Sequence, residues 1–257
     1  MAVIRINNVD TNVIEMNESA SETVVMLHGM FTNLSVFYYK IAPKLAEKFH
    51  VVLYDLRGHG MSEATPSGYD FQTMSDDLLA LLEALGLEKA HLTGYSYGGL
   101  VALYTAMFHP GKTGKIAVIE APDSNDEEPR KLLENYSKAF LDQYVQNMYV
   151  TTLLKPGRRQ IEKNHKQHDY LFNNTSLIDD ITKNRDFFRE IELASIPNET
   201  LLLYADNSPC KEAGESLHRY IRNSRLFFGE GDHNLPLQSP EWVAANLYDF
   251  YTGGLNL

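Results

Sequence analysis

The chain has 257 residues, 44% of them hydrophobic, enough for one large core, and its 23 basic against 34 acidic residues give a formal net charge of −11. That charge opposes a polyanionic backbone, so no nucleic acid partner is expected. A single cysteine, Cys210, rules out an internal disulfide and the thiol clusters of zinc and iron-sulfur sites. The opening Met1-Ala2-Val3-Ile4-Arg5-Ile6 has no signal-peptide core, and no apolar run approaches the roughly 20 residues of a membrane span, which together predict a cytoplasmic protein with no membrane partner.

In chain order, residues 2–6 and 12–16 predict an opening hairpin. Thr23-Val24-Val25-Met26-Leu27 is strand-like and runs into His28-Gly29-Met30-Phe31, with a helical period over 35–48. A strand near 50–55 enters Asp55-Leu56-Arg57-Gly58-His59-Gly60-Met61-Ser62. A helix at 73–85 follows, then a strand at 89–93 that leads into Gly94-Tyr95-Ser96-Tyr97-Gly98-Gly99. A helix at 98–108 and a strand at 115–120 complete the first part. From Pro122 to Pro197 there are only helical periods, split by Pro156-Gly157 and Asn173-Asn174. A structureless loop of that length is rare in a compact domain, so residues 122–197 are expected to form an inserted helical cap on a core made of 1–121 and 198–257. Strands near 200–205 and 225–229, with helices at 211–222 and 240–251, close the chain. Alternating strands and helices predict a mostly parallel, eight-stranded α/β sheet covered on both faces.

In such sheets ligands bind beyond the carboxyl ends of the strands, where His28, Asp55, Ser96, Glu120, Asp206 and His233 all fall. The G-x-S-x-G set places Ser96 on a sharp strand-to-helix turn whose crowding only small neighbours relieve. Its hydroxyl is exposed there and the next backbone N–H sits at a helix start.

The four segments around His28, Asp55, Ser96 and His233, taken in order, resemble the α/β-hydrolase superfamily from about residue 20 onward. The resemblance implies the α/β-hydrolase fold with a helical cap, and a serine nucleophile, Ser96. It implies His233, in the loop after the last strand, as the base, and backbone amides of Met30 and Tyr97 as the oxyanion hole. Most relatives carry the acid after the seventh strand just before a proline, where this chain has Ser208 in Ala205-Asp206-Asn207-Ser208-Pro209. Two carboxylates can substitute: Glu120, which resembles the branch that includes some haloalkane dehalogenases and ends an apolar strand where a carboxylate needs a partner, is favoured, and Asp206 is the alternative. Asp55 and Arg57 are expected to tie down their own loop.

Caps in this superfamily roof the site and choose the substrate. Tyr136, Phe140, Tyr144 and Met148 recur every four residues and share one helix face, either packing the cap or lining an acyl pocket; Phe31, Phe140 and Tyr144 are the candidate substrate contacts. His165, His168 and Asp169 invite a metal reading, yet the polar segment around them predicts a solvated helix surface. No metal site and no cofactor is expected. Lys155, Arg158, Arg159, Lys163 and Lys166 form a basic cluster that is either a solvated face or a dock for a thioester of coenzyme A or acyl carrier protein.

The expected reaction is hydrolysis of a small apolar carboxylic ester or thioester through an acyl-serine. Alternatives on the same fold are a carbon-carbon bond hydrolase, a lyase, a natural-product cyclase, or a ligand receptor without turnover. Aspartate-nucleophile dehalogenase and epoxide hydrolase chemistry is disfavoured by the serine at position 96.

Overall fold

A computed structural model describes residues 2–122, 158–183, 188 and 190–255. Eight strands form one sheet: β1 (Ala2–Ile6), β2 (Val9–Met16), β3 (Thr23–Leu27), β4 (His50–Tyr54), β5 (Ala90–Tyr95), β6 (Thr113–Ile119), β7 (Thr200–Ala205) and β8 (Ser224–Gly229). Their spatial order is β1-β2-β4-β3-β5-β6-β7-β8. Only β1 and β2 break the parallel arrangement, β2 pairing antiparallel with both β1 and β4. The first hairpin turns on Asn7 and Asn8, both at positive φ, 47° and 65°, the conformation a two-residue loop needs and asparagine tolerates.

The helices between them are α1 (Ser35–Tyr38), α2 (Ile41–Leu45), α3 (Phe71–Ala84) and α4 (Tyr97–Phe108), then α5 (Arg158–Asn173), α6 (Leu177–Lys183) and α7 (Glu190–Ala194). After β7 come α8 (Lys211–Tyr220), α9 (Leu235–Gln238) and α10 (Pro240–Thr252). The helical period at 35–48 is two short helices instead of one. Pro43 lacks an amide hydrogen and so belongs in a first turn, and Lys40 at φ −127° divides the run in front of it. At α3 the Asp70 side chain accepts the Thr73 N–H at 2.9 Å and caps the helix.

The side-chain alternation of the strands sorts the core into two layers. Val25, Leu27, Val52 and Tyr54 face one side, against Phe71, Met74 and Leu78 of α3 and Leu100, Val101 and Leu103 of α4. Val24, Met26, Val51 and Leu53 face the other, against Phe37, Ile41 and Leu45 and against Val243, Leu247 and Phe250 of α10. Each such fully buried aliphatic side chain contributes about 1.5–3 kcal/mol.

Among the described residues between β6 and β7 there are helices and no strand. Leu171 of α5, Leu177 of α6 and Phe188 join the first layer. Asp180 of α6 accepts the N–H groups of Gly68 and Tyr69 at 3.2 and 3.0 Å, and so ties this segment to the loop after β4. Phe140, Tyr144 and the rest of the four-residue stripe, with Lys155, lie outside the described residues. No helix among the described residues is long and apolar enough to cross a membrane.

Candidate active site

The site forms where β3, β5, β6, β7 and β8 end together. Ser96 separates β5 from α4 at φ 51°, and its N–H donates to the Ile119 carbonyl at 2.8 Å. The flanking glycines are dictated by close approach. A Cβ on Gly94 would meet the Gly98 carbonyl oxygen at 2.3 Å, and one on Gly98 would meet the Leu27 carbonyl oxygen at 2.3 Å. No side chain larger than hydrogen leaves the elbow intact.

His233 follows β8 and carries its Nε2 to 3.1 Å from Ser96 Oγ. Tyr95 holds His233 in two ways: its hydroxyl donates to the His233 carbonyl at 2.9 Å, and the two rings lie 5.5 Å apart, 34° from parallel. Glu120 ends β6 at φ 54° and is fully buried; its Oε2 lies 3.3 Å from His233 Nδ1. A carboxylate accepts only, so Nδ1 donates and Nε2 keeps its lone pair for the serine proton. The Glu120 carboxylate also accepts the Ala205 N–H and the Ser208 hydroxyl. Asp206 is exposed; its backbone N–H donates to the Gly229 carbonyl at 2.9 Å, and Glu120 is the carboxylate beside the imidazole. Burial disfavours a charge on His233, but the Cys210 sulfur, 3.5 Å from Nδ1, and the Glu120 carboxylate favour it more, and the imidazole is held above the ordinary histidine range.

The loop after β3 closes the other side. A Cβ on Gly29 would stand 2.9 Å from Ser96 Cβ. His28 is fully buried; its Nε2 accepts the Leu56 N–H at 2.9 Å, which puts the ring proton on Nδ1, and that proton goes to the Gly29 carbonyl at 2.8 Å. The Thr32 hydroxyl donates to the same carbonyl at 2.8 Å. Because the peptide is planar and trans, pinning the Gly29 carbonyl fixes the Met30 N–H in the opposite direction. Tyr97 has its ring in the core, 5.1 Å from Phe71, and its hydroxyl on the Tyr69 carbonyl at 2.6 Å, so its side chain is engaged away from Ser96.

Phe31, at φ 62°, stacks on Phe172 at 4.7 Å and accepts a hydrogen bond from His168 Nε2 at 3.0 Å through its carbonyl. His168 is therefore not on a solvated surface: it is 4% exposed, and the spacing of three places it on the same face of α5 as buried Leu171. Among the described residues six non-glycine residues have positive φ. Three are asparagines, and the other three are Phe31, Ser96 and Glu120. Each such conformation costs on the order of 1–3 kcal/mol, and here all three non-asparagine cases surround one spot.

Asp55 and Arg57 act on the loop. Asp55 accepts the N–H groups of Leu34 and Met61, each at 2.8 Å, and the Asn12 side chain at 2.8 Å. Arg57 forks onto Asp77 with two 2.7 Å bonds. His59 donates Nδ1–H to the Arg57 carbonyl at 2.8 Å; burial first, then the neighbouring His28, holds it near 3 and therefore neutral. Sequence reasoning missed His168, Ser208 as a donor, and Cys210. The thiol's place two residues after Ser208, at the family's usual acid position, is the one signal that could have pointed to it.

The chain is similar to several known proteins. Ethanol acetyltransferase 1 of Eremothecium cymbalariae is 30% identical over 172 residues, covering 63% of this chain and 47% of that protein. The superfamily protein YisY of Bacillus subtilis is 35% identical over 99 residues, 38% of this chain and 37% of its own. The chain thus aligns with half or less of these relatives' lengths. Among solved structures, an esterase from Exiguobacterium antarcticum superposes with a TM-score of 0.78 at 22% identity, covering 98% of this chain and 99% of the other, a likeness of fold. A model of the alpha/beta hydrolase fold family matches residues 22–239, and with the elbow at Ser96 and the eight-stranded order above, this chain belongs to the α/β hydrolase fold family.

Proposed function

We propose that the protein is a serine hydrolase that cleaves a carboxylic ester or thioester through an acyl-serine intermediate. The observation that carries this reading is the continuous relay from Ser96 Oγ through His233 to Glu120, at 3.1 and 3.3 Å. Nε2 of His233 takes the serine proton as Oγ attacks the carbonyl, and Glu120 stabilises the resulting imidazolium. The Met30 and Tyr97 amides hold the oxyanion, the first oriented by His28 and Thr32, the second at the start of α4. His233 then protonates the leaving group and activates water on the acyl-serine.

In this reading residues 122–197 are the cap, and Phe31, Phe140 and Tyr144 are the proposed contacts of an apolar acyl group. No cofactor takes part in the proposed steps. An acyl-serine is resolved equally well by an alcohol, and the likeness to a protein named for acetyl transfer to ethanol makes alcohols worth including as acceptors.

The test is labelling of Ser96 by a fluorophosphonate, followed by turnover of p-nitrophenyl esters and acyl thioesters of graded length, with and without ethanol. Ser96→Ala and His233→Ala should each remove labelling and lower turnover by roughly 10⁶-fold, since these groups act as one unit. Ordinary turnover by purified Ser96→Ala would sink the covalent mechanism. Turnover of a carbon-carbon substrate without any acyl-serine would move the protein to the lyase or carbon-carbon hydrolase class.

A further inference from the structure

The proton relay uses one side of His233 Nδ1 and leaves a second neighbour unexplained. Cys210, the residue preceding α8, is buried, and its sulfur lies 3.5 Å from Nδ1. Glu120 Oε2 lies 3.3 Å from the same nitrogen, and the three donor atoms all fall within 4.8 Å of one another. They arrive from three separate places, the end of β6, the turn before α8 and the loop after β8. Neither the attack on the carbonyl nor the transfer of the serine proton requires the thiol.

Thiolate, imidazole and carboxylate together form a donor set of borderline softness that selects zinc over magnesium or calcium. Tetrahedral zinc, with bonds of about 2.3 Å to sulfur and about 2.0–2.1 Å to nitrogen and oxygen, spaces a sulfur about 3.5 Å and an oxygen about 3.3 Å from a shared nitrogen neighbour. Two of the three separations, from sulfur and from oxygen to Nδ1, already have these values; the sulfur and a carboxylate oxygen lie within 4.8 Å of each other and come to about 3.5 Å in the tetrahedral site. The carboxylate is held in place by the Ala205 N–H and the Ser208 hydroxyl, the kind of supporting bonds that orient a metal ligand. Glu120 and Cys210 are buried and the imidazole is 23% exposed.

We propose that Glu120, Cys210 and His233 form an inhibitory zinc site, resting on the serine-hydrolase reading above. The ion needs the Nδ1 lone pair. A neutral imidazole has one proton, so a metal at Nδ1 forces that proton onto Nε2, which then points an N–H at Ser96 and has no lone pair with which to accept the serine proton. Starting from neutral His233, ionised Glu120 and the Cys210 thiol, the thiol proton goes to solvent and the imidazole proton moves from Nδ1 to Nε2. One proton is released per ion bound from this form, and a second where His233 starts as the imidazolium, with no change of oxidation state. The same atoms thus define two exclusive states, a relay with a proton at Nδ1 and a closed site with zinc there.

The experiment measures zinc directly and activity separately. Zinc binding is read by competition with a chromophoric chelator on wild type, Cys210→Ala, Cys210→Ser and Ser96→Ala, with magnesium as the control ion and melting curves to show that each variant is folded. Fluorophosphonate labelling and ester turnover are then followed against zinc, each variant being referred to its own zinc-free rate. Wild type and Ser96→Ala should bind one zinc, and wild type should lose labelling and turnover in a way that a chelator reverses; both cysteine variants should weaken binding and inhibition by at least about tenfold. Equal binding or equal inhibition in folded cysteine variants would overturn the site, as would magnesium acting like zinc. Zinc bound by wild type and lost from Cys210→Ala, in a protein that turns over no ester or thioester, would uphold the metal site and reject the hydrolase reading.

Discussion

Ser208 donates its hydroxyl to Glu120 across the ends of β7 and β6, so the residue standing where the family usually carries its acid supports an acid placed one strand away. Glu120→Gln should lower kcat by roughly 10⁴-fold with little change in KM, as loss of the carboxylate does in comparable relays. Asp206→Asn, altering an exposed group, should cost far less. Adding Ser208→Asp to Glu120→Gln should recover at least about tenfold of the loss, because a carboxylate is returned within reach of the same imidazole. Steady-state kinetics on the four proteins decides the matter; a larger loss in Asp206→Asn than in Glu120→Gln would reverse the assignment.

The elevated pKa of His233 sets the sign of the pH dependence. The base works when deprotonated, so kcat/KM should rise with pH through a limb above the ordinary histidine range. Glu120→Gln removes a group that stabilises the imidazolium, and its limb should lie at lower pH. A limb that stays in place in Glu120→Gln would show that Glu120 does not govern the ionisation.

His168 reaches Phe31 from α5 with a 3.0 Å bond, next to the peptide that orients the Met30 N–H. Losing one such bond costs about 0.5–1.5 kcal/mol, so His168→Ala should lower kcat/KM by up to about tenfold, and His168→Gln, which keeps a donor near the same place, should lose less. Equal losses in the two variants would assign His168 to packing alone.

Acid should destabilise the fold through His59 and His28, whose pKa values are lowered chiefly by burial. Their contribution is complete above the ordinary histidine range and is lost as pH falls through it toward about 3, the value at which His59 titrates in the fold. His233 has the opposite sign: its raised pKa adds stability that is complete below the ordinary range and fades as pH rises through the elevated value. Melting temperatures of wild type and His59→Asn between pH 7 and 4 should converge as pH falls; parallel curves would remove His59 from the account.

Arg158, Arg159, Lys163 and Lys166 of the basic cluster lie on α5, where Lys163 and Lys166 are exposed. If the cluster docks a coenzyme A or carrier-protein thioester, reversal of both to glutamate should raise KM for those substrates and spare small neutral esters. The effect should shrink at high salt, where screening acts over about 10 Å or less. Shortening Phe140 or Tyr144 should, separately, shift acyl preference more than melting temperature; the reverse result makes the stripe packing.

The local patterns were legible because they belong to backbone geometry. Gly94-x-Ser96-x-Gly98 states its own crowding, and His233 follows the last strand at a place set by sheet topology. The sequence favoured Glu120 over Asp206 without deciding between them, since the choice depends on which strand end faces the imidazole, a matter of pairing between β6, β7 and β8. His168 was misread because its segment is polar on average, which hid that it shares a face with Leu171, and its burial comes from meeting Phe31, 137 positions away. Cys210 carries no motif at all. Its meaning arises only when three chain segments converge.

The sheet does not stop where its strands do. Ser96 N–H bonds to Ile119, Glu120 N–H to Leu203 and Asp206 N–H to Gly229, so one further rung on each of three successive strand pairs carries Ser96, Glu120 and Asp206. In amide exchange the Ser96 and Glu120 protons belong with the slowest of the molecule, opening only when the central strands separate, while the Asp206 proton opens with the edge strand β8. During refolding, activity returns only after β5, β6, β7 and β8 have come into register, which makes the appearance of a working serine a clock for the last long-range pairing of the chain.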